Sequence, residues 1–343
     1  SFTVYYSFLT ASGAATVPVL GQGINKRGVR GILAVASVWV SVGLFLFSLS
    51  GSLWMFYAVS AVMGIFGTSC VSLCANVIVQ QSYAGSQASG LTGLVMSGSG
   101  VGGMAVSLVL PGLIEGLGWR WGYRILAACW LLLGLCALAL LGKTELSGGV
   151  GHRRTPVDGM TRAQALGHPA LYLLTLVILI LSAACGIQQQ LPSMLAGYGF
   201  STARVSAMLS FFTAALALGK IAQGFLYSKM GPHKGGYLMT VFALSFVLLR
   251  IPGLVYPALA MLAVGMGCVT TLMPILTRFT FGALEYAAIW SILSTASNVG
   301  ALIASPLFGF VYDSAGSYEP AMAASAAGLA LCLGLMYFCF RKK

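Results

Sequence analysis

Lys220 is the one Lys, Arg, Asp or Glu well inside a long apolar segment, the stretch Leu209–Tyr227. A cation in such a place is costly, so it marks a functional position by default. A lone ammonium can take a substrate carboxylate, pair with an acid elsewhere in the fold, or snorkel to the membrane surface along its stem. Eight residues separate Lys220 from Ser228, about 12 Å along a helix at 1.5 Å per residue. That is near the middle of a ~30 Å apolar core, deeper than a snorkelling lysine usually sits. The anion reading leads the other two.

Other polar residues stand on apolar stretches. Tyr6 and Thr10 fall at helical spacing with Val17 and could face a cavity; Tyr6 equally suits an aromatic belt. Gln188 has Gly186 and Pro192 around it, a sign of irregular backbone beside a cavity. Thr270 and Trp290 are further wall candidates, with Thr213, Asn76, Gln189, Gln190 and Asn298 behind them. Bonding or packing between helices is the plain alternative for each.

Catalytic constellations are lacking. His152, His168 and His233 stand in or beside loops, apart from any nucleophile motif. Cys70 and Cys74 are one helical turn apart without a His or acid to join them, so buried small hydrophobes are the better reading than a metal site. Gly98–Gly103 fits Gly-x-Gly-x-x-Gly, but no strand precedes it and no acid follows at the required distance. Small residues for close helix crossing explain it better. We expect no cofactor, no metal and no enzyme activity.

The elements that must position these residues are membrane helices. The chain is 58% hydrophobic and 7% charged, with 44 glycines; soluble domains are near a quarter charged. Apolar segments cover about 1–20, 32–50, 53–78, 90–113, 122–142, 169–194, 203–227, 236–250, 254–277, 285–311 and 320–340. Residues 143–168 form a polar linker between an N-terminal bundle, 1–142, and a C-terminal bundle, 169–343. The net charge of +12 carries no basic stripe, which argues against nucleic acid. It follows orientation instead. With the 21–31 loop inside, 13 basic residues face the cytoplasm and 4 face out, so the C-terminus is expected in the cytoplasm. The setting is a plasma or inner membrane, and a monomer is expected.

The chain repeats itself. Gly21-Gln-Gly-Ile-Asn-Lys-Arg-Gly28 returns 203 residues later as Gly224-Phe-Leu-Tyr-Ser-Lys-Met-Gly231. Ser99–Ser107 returns 198 residues later as Ser297–Ser305, and Glu115 and Gly118 return as Asp313 and Gly316. Two homologous halves follow. The second half has 56 residues between His168 and Gly224, whereas only 20 precede Gly21. The expectation is an all-α fold with eleven of twelve transmembrane helices, the first one missing.

The Gly21–Arg30 segment resembles the loop between helices 2 and 3 of the major facilitator superfamily, whose pattern is Gly-x-x-x-Asp-Arg/Lys-x-Gly-Arg/Lys-Arg/Lys. Asn25 replaces the Asp and Val29 one basic residue; Ser228 takes the Asp position in the second copy. Gln80–Gly102, Gly118–Arg124 and Gly309–Tyr318 resemble segments of the monocarboxylate transporter and oxalate–formate antiporter branch. The resemblance implies gating loops at Gly21, Asn25, Lys26 and Gly28, and at Gly224, Ser228, Lys229 and Gly231. It also implies that Lys220 occupies the position of a substrate-binding Arg in helix 8. Leu216 replaces the branch's acidic companion, and helix 11 lacks its Lys.

The expected function is secondary active or facilitative transport of a small organic anion, a mono- or dicarboxylate, by alternating access. Uniport or exchange is favoured over proton symport. The alternatives are an exporter of a neutral or amphiphilic compound with Lys220 structural, and a transport-incompetent sensor or interaction protein.

Overall fold

The computed structural model describes residues 4–83, 85–140 and 159–340. Most of the linker, residues 143–158, and the basic end Arg341–Lys343 lie outside the described residues, as do the side chains of Asn25 and Lys26. Each apolar segment read from the sequence is a helix or a helix broken near mid-span. This is what lipid demands, since a backbone without water must satisfy itself internally.

The first half contains α1 (Val4–Arg27), α2 (Val29–Leu49), α3 (Leu53–Ile65), α4 (Thr68–Ser82), α5 (Gly85–Leu117) and α6 (Trp119–Leu140). A short α7 (Arg162–Leu166) follows the linker, its start capped reciprocally by Thr161 and Gln164. The second half contains α8 (Pro169–Ala184), α9 (Ile187–Gly197), α10 (Thr202–Met230), α11 (Leu238–Leu248), α12 (Val255–Gly267), α13 (Met273–Phe281), α14 (Tyr286–Ala315) and α15 (Glu319–Phe340). Among the described residues, nine helical stretches are long and apolar enough to cross a bilayer, with α3–α4, α8–α9 and α12–α13 each counted as one.

The expected 21–31 loop is shorter than the sequence suggested. Gly21–Arg27 continue α1, and the chain turns at Gly28 alone (φ 81°, ψ 168°). In the second copy α10 runs to Met230, and Gly231 makes the same turn (φ 81°, ψ 151°). That backbone region is essentially open only to glycine. Gly118 (φ 83°) and Gly316 (φ 69°) also have positive φ at equivalent positions of the repeat, Gly316 as a left-handed cap to α14. Gly28→Ala or Gly231→Ala should therefore each cost about 1–3 kcal/mol, read as a lower unfolding midpoint in detergent.

The repeat also builds the contact between the halves. At Gly21 a Cβ would lie 2.4 Å from Ser291 Cβ and 2.8 Å from the Ala287 carbonyl, so α1 crosses α14 closely. At Gly224 a Cβ would lie 2.8 Å from Gly93 Cα and 2.8 Å from the Ser89 carbonyl, so α10 crosses α5. Gly21 and Gly224 are repeat partners, and so are Gly93 with Ser291 and Ser89 with Ala287. One crossing is made twice, related by the internal symmetry.

Candidate functional site

Lys220 lies on α10, ten residues before the helix ends at Met230, about 15 Å at 1.5 Å per residue. It is 4% exposed. The close crossing brackets it. Gly224, one turn on, meets Gly93; Ala217, one turn back, meets Gly100, where a Cβ would stand 2.8 Å from Ala217 Cβ. Small residues on both helices let the backbones approach, and the lysine stem then reaches across to α5. Its Nζ donates to Ser99 Oγ at 2.7 Å and to the Met96 carbonyl at 3.4 Å. Ser99 Oγ in turn donates a hydrogen bond to the same Met96 carbonyl at 2.9 Å. The ammonium thus bridges the two halves through neutral oxygens.

Helix breaks surround this level. Between α8 and α9 the chain loosens at Cys185–Gly186, and Cys185 sits within electrostatic reach of Lys220, of Cys268 and of Tyr6. Gly186 allows α14 to approach, since a Cβ there would meet Ala304 Cβ at 2.4 Å. Between α12 and α13 the residues Cys268–Leu272 form a π segment, a feature frequent at functional sites. The Cys268 N–H turns to Gly265 and Met266, and the Gln223 side-chain amide donates to the Val264 carbonyl. Gln223 is 2% exposed, and its Oε1 has no hydrogen-bond partner. The Tyr227 hydroxyl lies 3.9 Å from Cys268 Sγ.

The structure sorts the sequence candidates. Tyr6 is half-buried, and its carbonyl accepts from the Thr10 hydroxyl at 2.9 Å. Thr270 is half-buried within the π segment, its hydroxyl 3.4 Å from the Gly267 carbonyl. Trp290 is 4% exposed, and its indole N–H has no partner. Thr10 is buried but bonds back to the Tyr6 and Ser7 carbonyls of its own helix. Gln188 is exposed, whereas Gln190 is buried and accepts from the Tyr318 hydroxyl at 3.3 Å. Ser228 closes on its own helix through the Phe225 carbonyl, and Lys229 is in the last turn of α10. Sequence reasoning missed Ser99 and Gln223 as site residues. Gln223 carried a signal, being polar and one turn from Lys220.

A second set of contacts lies toward the Gly28 face. Arg278 Nη1 donates to the Gln80 carbonyl at 2.6 Å, joining α13 to α4; these two positions are themselves repeat partners. Gln80 donates from its side chain to Thr92 Oγ1 at 2.8 Å. The end of the linker lies over the α13–α14 turn, with Met160 N–H to the Phe281 carbonyl at 2.8 Å and Arg162 N–H to Glu285 Oε2 at 2.6 Å. Among the described residues no His, Cys, Asp and Glu cluster could hold a metal ion.

Paired halves, broken helices and a symmetric crossing describe a transporter fold, and the sequence agrees. Residues 2–277 match the profile of the Major Facilitator Superfamily. The chain belongs to this superfamily. As a superfamily member it is a multi-pass membrane protein of a family that carries small molecules. It is 23% identical over 322 residues to an MFS-type transporter of Gibberella moniliformis, spanning 88% of this chain and 72% of the relative. It is 24% identical over 227 residues to the agnestins efflux protein AgnL12 of Paecilomyces divaricatus, covering 66% of this chain and 51% of the relative. The fold is similar to that of the human organic anion transporter MFSD10 (TM-score 0.74, 16% identity, 97% of this chain and 83% of that one). It is also similar to the E. coli fucose:proton symporter FucP (TM-score 0.68, 13% identity, 98% of each chain).

Proposed function

We propose that this superfamily member carries a small organic anion, a mono- or dicarboxylate, by alternating access, with Lys220 as the charge contact. One observation carries this reading. A buried ammonium sits at the crossing between the halves, and its described hydrogen-bond partners are neutral oxygens. Desolvating a charge costs several kcal/mol, which neutral partners offset in part and an opposite charge offsets far better. A substrate carboxylate supplies that charge at the moment of binding. Tyr6, Thr270 and the free indole N–H of Trp290 add polar wall contacts, with Thr10 and Gln188 further out. The resemblance to the monocarboxylate and oxalate–formate branch supports the same substrate class, and the fold neighbour MFSD10 is an organic anion transporter.

The basic residues orient the Gly28 face and the C-terminus toward the cytoplasm. The Arg278–Gln80 bond then ties the cytoplasmic ends of the two halves in this conformation, and the bundles 1–142 and 169–343 rock about the Lys220 level. Exchange or uniport fits better than proton symport, because no carboxylate stands beside Lys220 among its described partners. The carrier works as a monomer, without a cofactor or a chemical step. Export of an amphiphilic compound is the second reading, favoured by the relative named as an efflux protein.

Counterflow in proteoliposomes tests the substrate class. Labelled lactate or oxalate should accumulate against internal unlabelled carboxylate. Excess external carboxylate should compete, and the corresponding amide should not. Equal competition by the amide would remove charge from the recognition and favour the second reading.

A further inference from the structure

The two crossings between the halves are built alike but bonded differently. At α1–α14 the repeat partner of Lys220 is Val17, buried and apolar. At α5–α10 the same position is an ammonium that reaches the opposite helix. Gly93, Gly100, Ala217 and Gly224 make the backbones close enough for that reach. Ser99 has a repeat partner as well, Ser297, which pairs within its own half with Ser182 at 2.7 Å. Of the two serines, it is Ser99 that bonds across the halves. A hydroxyl that already donates to Met96 offers Lys220 only its lone pairs. It is a neutral acceptor that a carboxylate outbids, since the carboxylate adds a full opposite charge beside a desolvated ammonium where the hydroxyl adds only a dipole.

We propose that Ser99 is the resting partner of Lys220, and that an anionic substrate takes the ammonium away from it, so that cargo binding and loosening of the α5–α10 crossing are one event. This rests on the anion reading of Lys220 given above. Ser99 acts through Lys220 and is a positioning residue. The exchange moves a hydrogen bond and leaves every covalent bond in place. Its consequence is mechanical. With the empty carrier locked by Lys220 to Ser99 and the Met96 carbonyl, only the uncharged α1–α14 crossing is free of such a tie. Substrate releases the α5–α10 tie, which leaves the Arg278–Gln80 bond as the remaining charged tie for the halves to break as they rock.

The sign of a binding change tests this. If Ser99 competes with substrate, Ser99→Ala destabilises the empty state and binds more tightly. If Ser99 instead steadies Lys220 for the substrate, or merely packs, Ser99→Ala binds more weakly or equally. The probes are lactate and oxalate, with affinity measured calorimetrically on the full chain in detergent. The expected result for Ser99→Ala is a Kd lower by roughly tenfold, the equivalent of about 1.4 kcal/mol. The rise in unfolding midpoint on adding ligand should also exceed that of wild type, because the empty form has lost a bond and the loaded form has not. Ser99→Thr keeps the hydroxyl and should return both values toward wild type. An unchanged or raised Kd in Ser99→Ala, with Lys220→Ala abolishing binding, would overturn the competition and leave the anion reading standing. Binding that survives Lys220→Ala, or the absence of binding to wild type by both probes, would overturn both.

Discussion

Lys220→Ala should abolish carboxylate uptake in proteoliposomes while leaving the protein at least as stable as wild type. The two halves of this expectation come from one geometry. Removing one member of a buried charge contact costs about 2–5 kcal/mol of binding, which corresponds to a loss of roughly thirtyfold to several thousandfold. Stability moves the other way. The empty carrier holds an ammonium against neutral oxygens at 4% exposure, and deleting a poorly compensated buried charge removes a desolvation cost. Ser99 and Met96 keep their own hydrogen bond after the deletion, so no orphaned polar group results. Lys220→Arg should retain part of the uptake. It keeps the charge, but its planar fork needs more room than an ammonium, and the crossing at Gly93 and Gly224 leaves little. A lysine that only braced the two helices would give the opposite pattern, with stability lost and affinity for carboxylate kept.

The second large effect is expected at the crossing itself. A Cβ at Gly224 would stand 2.8 Å from Gly93 Cα and from the Ser89 carbonyl, and one at Gly93 would stand 2.4 Å from the Lys220 carbonyl. These neighbours are backbone atoms, so no side chain can swing away. Gly224→Ala and Gly93→Ala must push α5 and α10 apart. Overpacking of this kind costs about 1–3 kcal/mol, seen as a lower unfolding midpoint in detergent. Transport should fall further than stability does, because pushing α10 away from α5 moves Lys220 itself out of the crossing where it meets the other half. Gly112→Ala is the matched control. It lies on α5 with open space around its Cβ position and should behave as wild type in both assays. Losses of equal size at Gly112 would mean that the crossing has no special role.

Helix type and order were legible because lipid leaves the chain few options. Apolar length alone marks a span, and the Gly28/Gly231 and Gly118/Gly316 pairs suggest a repeat, with Gly28 and Gly231 turning alike. What the sequence hid were the interruptions. Residues 53–78 read as one helix, yet the chain breaks at Phe66–Gly67 between α3 and α4. The π segment at Cys268–Leu272 has no sequence mark beyond the Pro274 that follows it. Such breaks shift helical phase. A face counted along α8 therefore does not continue into α9, where Gln188 is exposed and Gln190 is buried. Thr10 illustrates a different limit. Spacing gives its face, but a threonine in an apolar helix can satisfy its hydroxyl on its own backbone, as this one does. Lys220 was legible as a costly charge. Its partner was not, because Ser99 lies 121 residues away and is one of many small residues on α5.

Recognition of negative charge on the cargo is the role assigned to Lys220. The most direct measurement compares the affinities of a carboxylate and its primary amide for wild type and for Lys220→Ala. If the account holds, wild type prefers the carboxylate by roughly thirtyfold or more, and the variant binds the two alike. A preference for the carboxylate that survives intact in Lys220→Ala would contradict it, and would place the recognition of charge elsewhere in the carrier.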